Sequence, residues 1–304
     1  MSIEVNQLTK SYGRQKALDQ VTFQAKPGQI LGFLGPNGAG KSTTMKIATG
    51  YLSADHGDVL IKGVSVTNHP KVVSRMVGYL PEHNPLYLDM FVPEFLRFVA
   101  GLYAVEKKNV ETRVRHVMDR CGLLPEKTKK IGQLSKGYRQ RVGLAKALVH
   151  DPDIIILDEP TTGLDPNQLV EIRGLIREIS EEKTLVLSTH IMQEVEAICE
   201  KVVIIHKGKV VAQDLLQNLT ATDKADGLVL ETEELLDRSW FQYLPIREAR
   251  ELSPNRFLLL SSSGAQDLRK QVLGMVGERG LSLVEIKQQS RSLETVFHQL
   301  TQTQ

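Results

Sequence analysis

The sequence predicts an α/β fold with an inserted helical block, followed by a smaller α+β unit. Three observations carry this reading. The runs at 30–34, 154–157, 185–187 and 202–205 are short and unbroken in apolarity, as in parallel strands buried on both faces. Helix-like segments lie between them. From Pro93 to about Ile131 the apolar spacing turns helical, with Leu96, Val99, Ala100 and Tyr103 on one face and Val110, Val114, Val117 and Cys121 on another. The chain of 304 residues is long enough for about two domains.

Taken in order, Ile3, Val5 and Leu8, then Val21 and Phe23, read as half-buried strands. The run 30–34 ends in Gly35, and a helix is expected from near Lys41 to near Gly50. Short strands follow at 59–61, before Gly63, and at 77–80, stopped by Pro81. Pro93 suits a first helical turn. The pattern weakens over 216–226, which is expected to be a linker. Beyond it, strand 228–230, helix 233–243, a hairpin of 246–252 and 256–260 across Ser253, Pro254 and Asn255, helix 266–278 and strand 281–286 are expected. That β-α-β-β-α-β order predicts a ferredoxin-like split motif. Ser292 is placed to cap a last helix with Leu293, Val296, Phe297 and Leu300 on one face. The domain expectation is therefore 1–215 with a helical subdomain at about 84–150, a linker at 216–226, and a C-terminal domain at 227–304.

Composition excludes several classes. Lys plus Arg is 38 against 36 for Asp plus Glu, and a net charge of +2 is too small for a nucleic-acid coat or a polybasic membrane binder. Cys121 and Cys199 are far apart and form no CxxC, so neither a disulfide framework nor a zinc site is supported. No apolar segment of signal-peptide length opens the sequence, and no run approaches the roughly 18 residues of a spanning helix. A cytoplasmic setting is expected, with any membrane span supplied by another chain.

Gly35-Pro36-Asn37-Gly38-Ala39-Gly40-Lys41-Ser42 fits G-x-x-x-x-G-K-[ST], between an expected strand and an expected helix. Glycines let the backbone wrap so that its N–H groups face phosphate oxygens, and the helix N-terminus adds a positive dipole end. Lys41 is expected to reach the β/γ-phosphates and Ser42 to ligate Mg²⁺. A second buried strand ends in Asp158 and Glu159. Asp158 suits the holding of Mg²⁺ through water, and Glu159 the polarising of an attacking water. His190 ends a further strand, where a γ-phosphate sensor is expected.

Together these residues resemble an ABC-transporter ATP-binding subunit over about residues 2–215. Tyr12 is similar to the aromatic that stacks on adenine, and Gly35 to Thr43 resemble Walker A. Leu134-Ser135-Lys136-Gly137-Tyr138-Arg139-Gln140-Arg141 resembles the signature segment, with Ser135 and Gly137 at its phosphate-facing positions. Asp158 and Glu159 resemble Walker B and its catalytic glutamate, Gly163-Leu164-Asp165-Pro166 the D-loop, and His190 the switch histidine. The resemblance implies ATP hydrolysis with Mg²⁺, with Glu159, His190 and Lys41 catalytic and Ser42, Asp158 and Glu82 at the metal. It implies a head-to-tail homodimer with composite sites, integral membrane permease subunits as partners, no nucleic acid, and a place on the inner face of the cell membrane.

Two departures stand out. The signature reads LSKGY rather than LSGGQ, and Glu82 occupies the position where a Gln is common. The β-rich tail ending in Ser292-Leu293-Glu294-Thr295-Val296-Phe297 is similar to ABC-2-type exporters. LSKGYRQRVGLAKAL together with GYLPEHNPLY resembles the gliding-motility-associated ABC ATPases. The alternative is a soluble ABC ATPase acting on ribosomes or nucleic acid. Lys127, Lys129 and Lys130, its one basic cluster, read as a solvated loop. Trp240, Phe241 and Tyr243 read as core rather than as a ligand site.

Overall fold

Alternation of apolar and polar residues sets the first strands, and β1 (Ile3–Tyr12) pairs antiparallel with β2 (Gln15–Ala25). The computed structural model describes residues 1–220, 227–261, 265–289 and 292–302. Contacts divide the chain into two units, Met1–Leu216 and Gln217–Gln304. After β2 come β3 (Ile30–Leu34), α1 (Lys41–Ala48), β4 (His56–Ile61) and β5 (Val64–Ser65). The sheet β2-β1-β4-β5 is antiparallel throughout.

β3 is buried at every position and belongs to a different sheet. The chain continues through α2 (Pro70–Met76), β6 (Val77–Leu80), α3 (Val92–Leu102), α4 (Lys107–Arg120) and α5 (Lys136–Leu148). It then forms β7 (Ile154–Asp158), α6 (Pro166–Ser180), β8 (Thr184–Thr189), α7 (Met192–Ile198), β9 (Lys201–His206), β10 (Lys209–Leu215) and α8 (Leu216–Thr220). The order of the second sheet is β10-β9-β3-β8-β7-β6. Its strands run parallel from β9 to β6, and β10 closes one edge antiparallel. One core fills the space between the sheets, with Val5, Phe23 and Val59 facing Phe33, Ile156 and Val203, and with Met45 of α1 among them. The Phe23 and Phe33 rings, 5.0 Å apart, join the two layers.

At one point the helical block meets the parallel sheet backbone to backbone. At Gly78 of β6 a Cβ would strike the backbone oxygen of Ala147 in α5 and lie 3.0 Å from Ile155 Cδ1. Only glycine lets this strand and helix approach so closely.

The second unit contains β11 (Gly227–Thr232), β12 (Ile246–Ser253), β13 (Arg256–Ser261), α9 (Ala265–Glu278), β14 (Leu283–Gln289) and α10 (Leu293–Gln302). Its sheet is antiparallel, in the order β12-β13-β11-β14. The expected helix at 233–243 is absent. Only a single 3-10 turn forms there, at Arg238–Phe241. The cause is hydrogen bonding that competes with a helix. Thr232 Oγ1 donates to the Glu234 carbonyl at 2.9 Å, and the Glu234 carboxylate accepts from the Ser282 backbone N–H and hydroxyl at 2.9 and 3.0 Å. Those bonds draw the segment toward Ser282 and commit a carbonyl that a helix would need. The aromatic cluster divides: Phe241 is buried 5.0 Å from Phe257, whereas Tyr243 is exposed. The linker expected at 216–226 is helical as far as Thr220, and 221–226 lie outside the described residues. Sequence reading also passed over α2 and β10. Ser292 Oγ accepts from the Thr295 N–H at 3.3 Å, as a cap for α10 should.

Replacing Gly78 with alanine should push α5 off the sheet. A loss of about 1–3 kcal/mol is expected, as for other overpacked sites, seen as a lower urea midpoint for the intact chain.

Candidate functional site

Parallel strands present their carboxyl ends along one edge, and the loops leaving that edge form the site. Register aligns residues distant in sequence: Leu34 pairs with Thr189, Asp158 with Ser188, and Leu80 with Leu157. The residues just beyond are Gly35, His190, Glu159 and the Glu82 loop.

The phosphate loop leaves β3 and enters α1. Its first N–H, from Gly35, donates to the Thr189 carbonyl at 3.3 Å. Gly40 caps α1 at φ 108, a conformation that favours glycine, and a Cβ there would lie 2.7 Å from the Ala17 oxygen. Pro36, Asn37, Gly38 and Ala39 form the turn between them, closed by an Ala39 N–H to Pro36 carbonyl bond of 3.1 Å. Lys41 is only 5% exposed. Its Nζ donates to the carbonyls of Gly35 (2.8 Å) and Pro36 (3.3 Å) and pairs with Glu159 Oε1 at 3.2 Å. Thr43 lies in the first turn of α1.

The two adjacent acids have different partners. Asp158, in the last position of β7, accepts from Ser42 Oγ at 3.1 Å and from Ser188 Oγ. Burial raises its pKa, the two hydroxyls oppose that shift, and the charges of Glu82 and Glu159 add to it. Glu159 turns the other way. Its Oε1 faces Lys41 and its Oε2 lies 2.8 Å from His190 Nδ1. Its backbone is left-handed, with φ 50, a conformation that costs on the order of 1–3 kcal/mol in a residue other than glycine. His190 is half exposed, its side chain 42% accessible.

Direct contacts thus join Ser42 with Asp158, and Lys41 and His190 with Glu159, at neighbouring positions of the same edge. Glu82 borders the same place, lining a cavity of about 580 Å³ together with Ser42 and Asp158. The other expected site residues lie apart. Tyr12 sits at the end of β1, 52% exposed, with the Lys10 amine 6.0 Å from its ring centre. Ser135, Gly137 and Asp165 gather where α5 and α6 begin and line a cavity of about 540 Å³. Ser135 caps α5 by accepting from the Tyr138 N–H at 3.3 Å, and Asp165 caps α6 by accepting from the Gln168 N–H at 2.9 Å. The Lys136 amine lies against Gly163, occupying the space that a side chain there would take.

Sequence reasoning assigned no role to two residues. Gln140 of α5 donates from Nε2 to the Pro160 carbonyl at 2.6 Å, holding the loop after Glu159. Glu194 of α7 is wholly buried and accepts from the hydroxyls of Thr161 and Thr189. A signal was present, since Glu194 stands four residues before the buried Ile198, on the apolar stripe of its helix.

Hydroxyl and carboxylate oxygens on a phosphate-loop fold define a nucleotide-hydrolysing site. The family profile described as ABC transporter matches residues 18–162. The uncharacterized ABC transporter ATP-binding protein YxlF of Bacillus subtilis is 31% identical over 298 residues, which cover 97% of this chain and 98% of that protein. The Nod factor export ATP-binding protein I of Paraburkholderia xenovorans is 33% identical over 223 residues, 73% of each chain. Among solved structures, the dimeric post-hydrolysis state of the ATP-binding cassette MJ0796, bound to ADP and Pi, is similar at a TM-score of 0.64 and 25% identity, covering 70% of this chain and 98% of that one. The chain belongs to the ABC transporter ATP-binding proteins, and it is an ATPase.

Because Asp158 ionises less readily folded than unfolded, its charge destabilises the fold at neutral pH and has no such effect in acid. Asp158→Asn should therefore raise the thermal midpoint at neutral pH in chelator. The gain should vanish as pH falls to where Asp158 is protonated in both states. Melting curves across pH check this.

Proposed function

We propose that this chain is the ATP-hydrolysing subunit of an ABC exporter, acting as a head-to-tail homodimer beneath separate integral membrane subunits. The observation that carries the reading is Glu159, held in a left-handed turn between Lys41 and His190 at the end of β7. ATP phosphates, entering the loop 35–43, replace the Gly35 and Pro36 carbonyls and Glu159 as the partners of Lys41. Glu159 is then free to orient a water for in-line attack on the γ-phosphate and to accept its proton. His190 keeps its hold on the second Glu159 oxygen and senses the phosphate.

The donor set fits Mg²⁺: a hydroxyl and a carboxylate 3.1 Å apart, with Glu82 close enough to add to the negative field at Asp158. Ser42, Asp158 and Glu82 would hold the ion, which when bound neutralises charge on the β/γ-phosphates. Tyr12 serves adenine. Ser135 and Gly137, at the N-terminus of α5, and Asp165 complete the site of the opposite subunit.

The Glu82 loop and the helical block pass the movement on. The cavity beside Ser42 continues between Tyr79, Tyr87, Phe95, Phe98 and Tyr103, an aromatic surface suited to a membrane subunit. The Lys146 amine, brought down to about 8 by burial, borders it. None of the described helices is long and apolar enough to cross a membrane, so we place the chain peripherally, on the inner face. The name of the Nod factor relative favours export; gliding-type work would use the same coupling with a different partner. We read the C-terminal unit as a ferredoxin-like split motif whose first crossover has shrunk to a 3-10 turn, used in dimer contact or regulation. Lys129 is paired with Glu126 at 2.7 Å, which weakens the basic cluster that a ribosome- or nucleic-acid-binding role would use.

Glu159→Gln should lower turnover by about 100-fold or more while ATP still binds. Used as bait with ATP and Mg²⁺ in native membranes, it should recover polytopic membrane proteins in stoichiometric amounts. Recovery of ribosomes or nucleic acid without them would overturn the transporter reading.

A further inference from the structure

We propose that Glu194 is a positioning residue for hydrolysis, holding the loops that carry Glu159 and His190 in register through the hydroxyls of Thr161 and Thr189. The proposal rests on the reading of Glu159 as the group that activates water.

Glu194 is fully buried on α7, where the neighbouring Val195 and Ile198 are apolar and also buried. A carboxylate in such a place is costly unless hydrogen bonds satisfy it. One oxygen accepts from Thr161 Oγ1, and the other accepts from Thr189 Oγ1 at 2.7 Å. Packing α7 against the sheet requires no charge, and an apolar residue would serve. The acid instead joins two loops. Thr161 lies two residues after Glu159, and Thr189 immediately precedes His190.

The surrounding bonds show why this bridge matters. Thr189 Oγ1 also accepts from the Ile191 N–H at 3.0 Å, and the Thr189 carbonyl accepts from the Gly35 N–H at 3.3 Å. Thr189 is therefore tied to the phosphate loop, to α7 and to the residue beyond His190. On the far side, Gln140 grips the Pro160 carbonyl at 2.6 Å. The segment after Glu159 is thus held from α5 by Gln140 and from α7 by Glu194. Glu159 itself has a backbone conformation that persists only where neighbours impose it. Glu194 and Gln140 are placed to impose it. Lys41 and Ser42 have their own contacts with the phosphate loop and β7, none of which passes through Glu194. Loosening Glu194 should then impair the chemical step and leave nucleotide binding intact.

Steady-state ATPase kinetics on the full chain test this. Glu194→Gln turns one acceptor into a donor facing a hydroxyl, and Thr161→Val removes a hydroxyl at constant shape. Each should lower kcat by about 10-fold or more, with KM for ATP changed by less than about 3-fold. Thr161→Ser, which restores the hydroxyl, should recover most of the rate. In a Glu159→Gln background, Glu194→Gln should cost nothing further. If Thr161→Ser is as damaging as Thr161→Val, the hydroxyl is irrelevant and the proposal fails. It also fails if Glu194→Gln and Thr161→Val both turn over within about 2-fold of wild type while Glu159→Gln is inactive. Should Glu159→Gln itself keep wild-type turnover, the reading beneath the proposal falls and the proposal with it. Should Glu194→Gln not fold, the Thr161 pair alone decides the matter.

Discussion

Parallel register is the constraint on which the rest depends. β3, β8 and β7 are bonded so that Leu34, Thr189 and Asp158 end close to one line. A slip of one residue in any of them would turn its apolar side chains to the opposite face and move its loop along the edge. Full burial of all three strands makes such a slip expensive. The core therefore does more than hold the unit together. It sets the relative positions of a phosphate loop, two acids and a histidine that lie up to 155 residues apart in sequence.

Within that frame the adjacent acids are separated by backbone geometry. Asp158 still follows the strand, and its carboxylate faces the hydroxyls of Ser42 and Ser188. Glu159 enters a left-handed turn, and its carboxylate swings to Lys41 and His190. One acid thus has a cation beside it and the other has none among the described residues. The uncompensated charge at Asp158 is a local cost that the fold tolerates at its site.

The parts legible in the sequence share one property: their chemistry is local. The phosphate loop is eight contiguous residues where a strand gives way to a helix, and β7 with Asp158 and Glu159 is six more. The helix expected at 233–243 failed because its competitors are tertiary. Ser282, far along the chain, takes the Glu234 carboxylate, and no window of sequence contains both. Glu194 escaped notice for a similar reason, since a carboxylate on an apolar stripe has meaning only once Thr161 and Thr189 are beside it. Ser135, Gly137 and Asp165 were found by motif, yet inside one chain they gather at two helix starts, away from the Lys41–Glu159 contact.

The bare seam at Gly78 has a consequence for how the protein changes over generations. Where the Gly78 and Ala147 backbones touch, no rotamer can absorb a displacement between β6 and α5. A residue on that seam has nowhere to drift. Exposed positions on the outer side of the same block, such as Phe98 and Leu102, face no such restriction. The block can thus acquire new surfaces for new neighbours while its joint to the ATPase core stays unaltered. Retuning the partner need not mean rebuilding the motor.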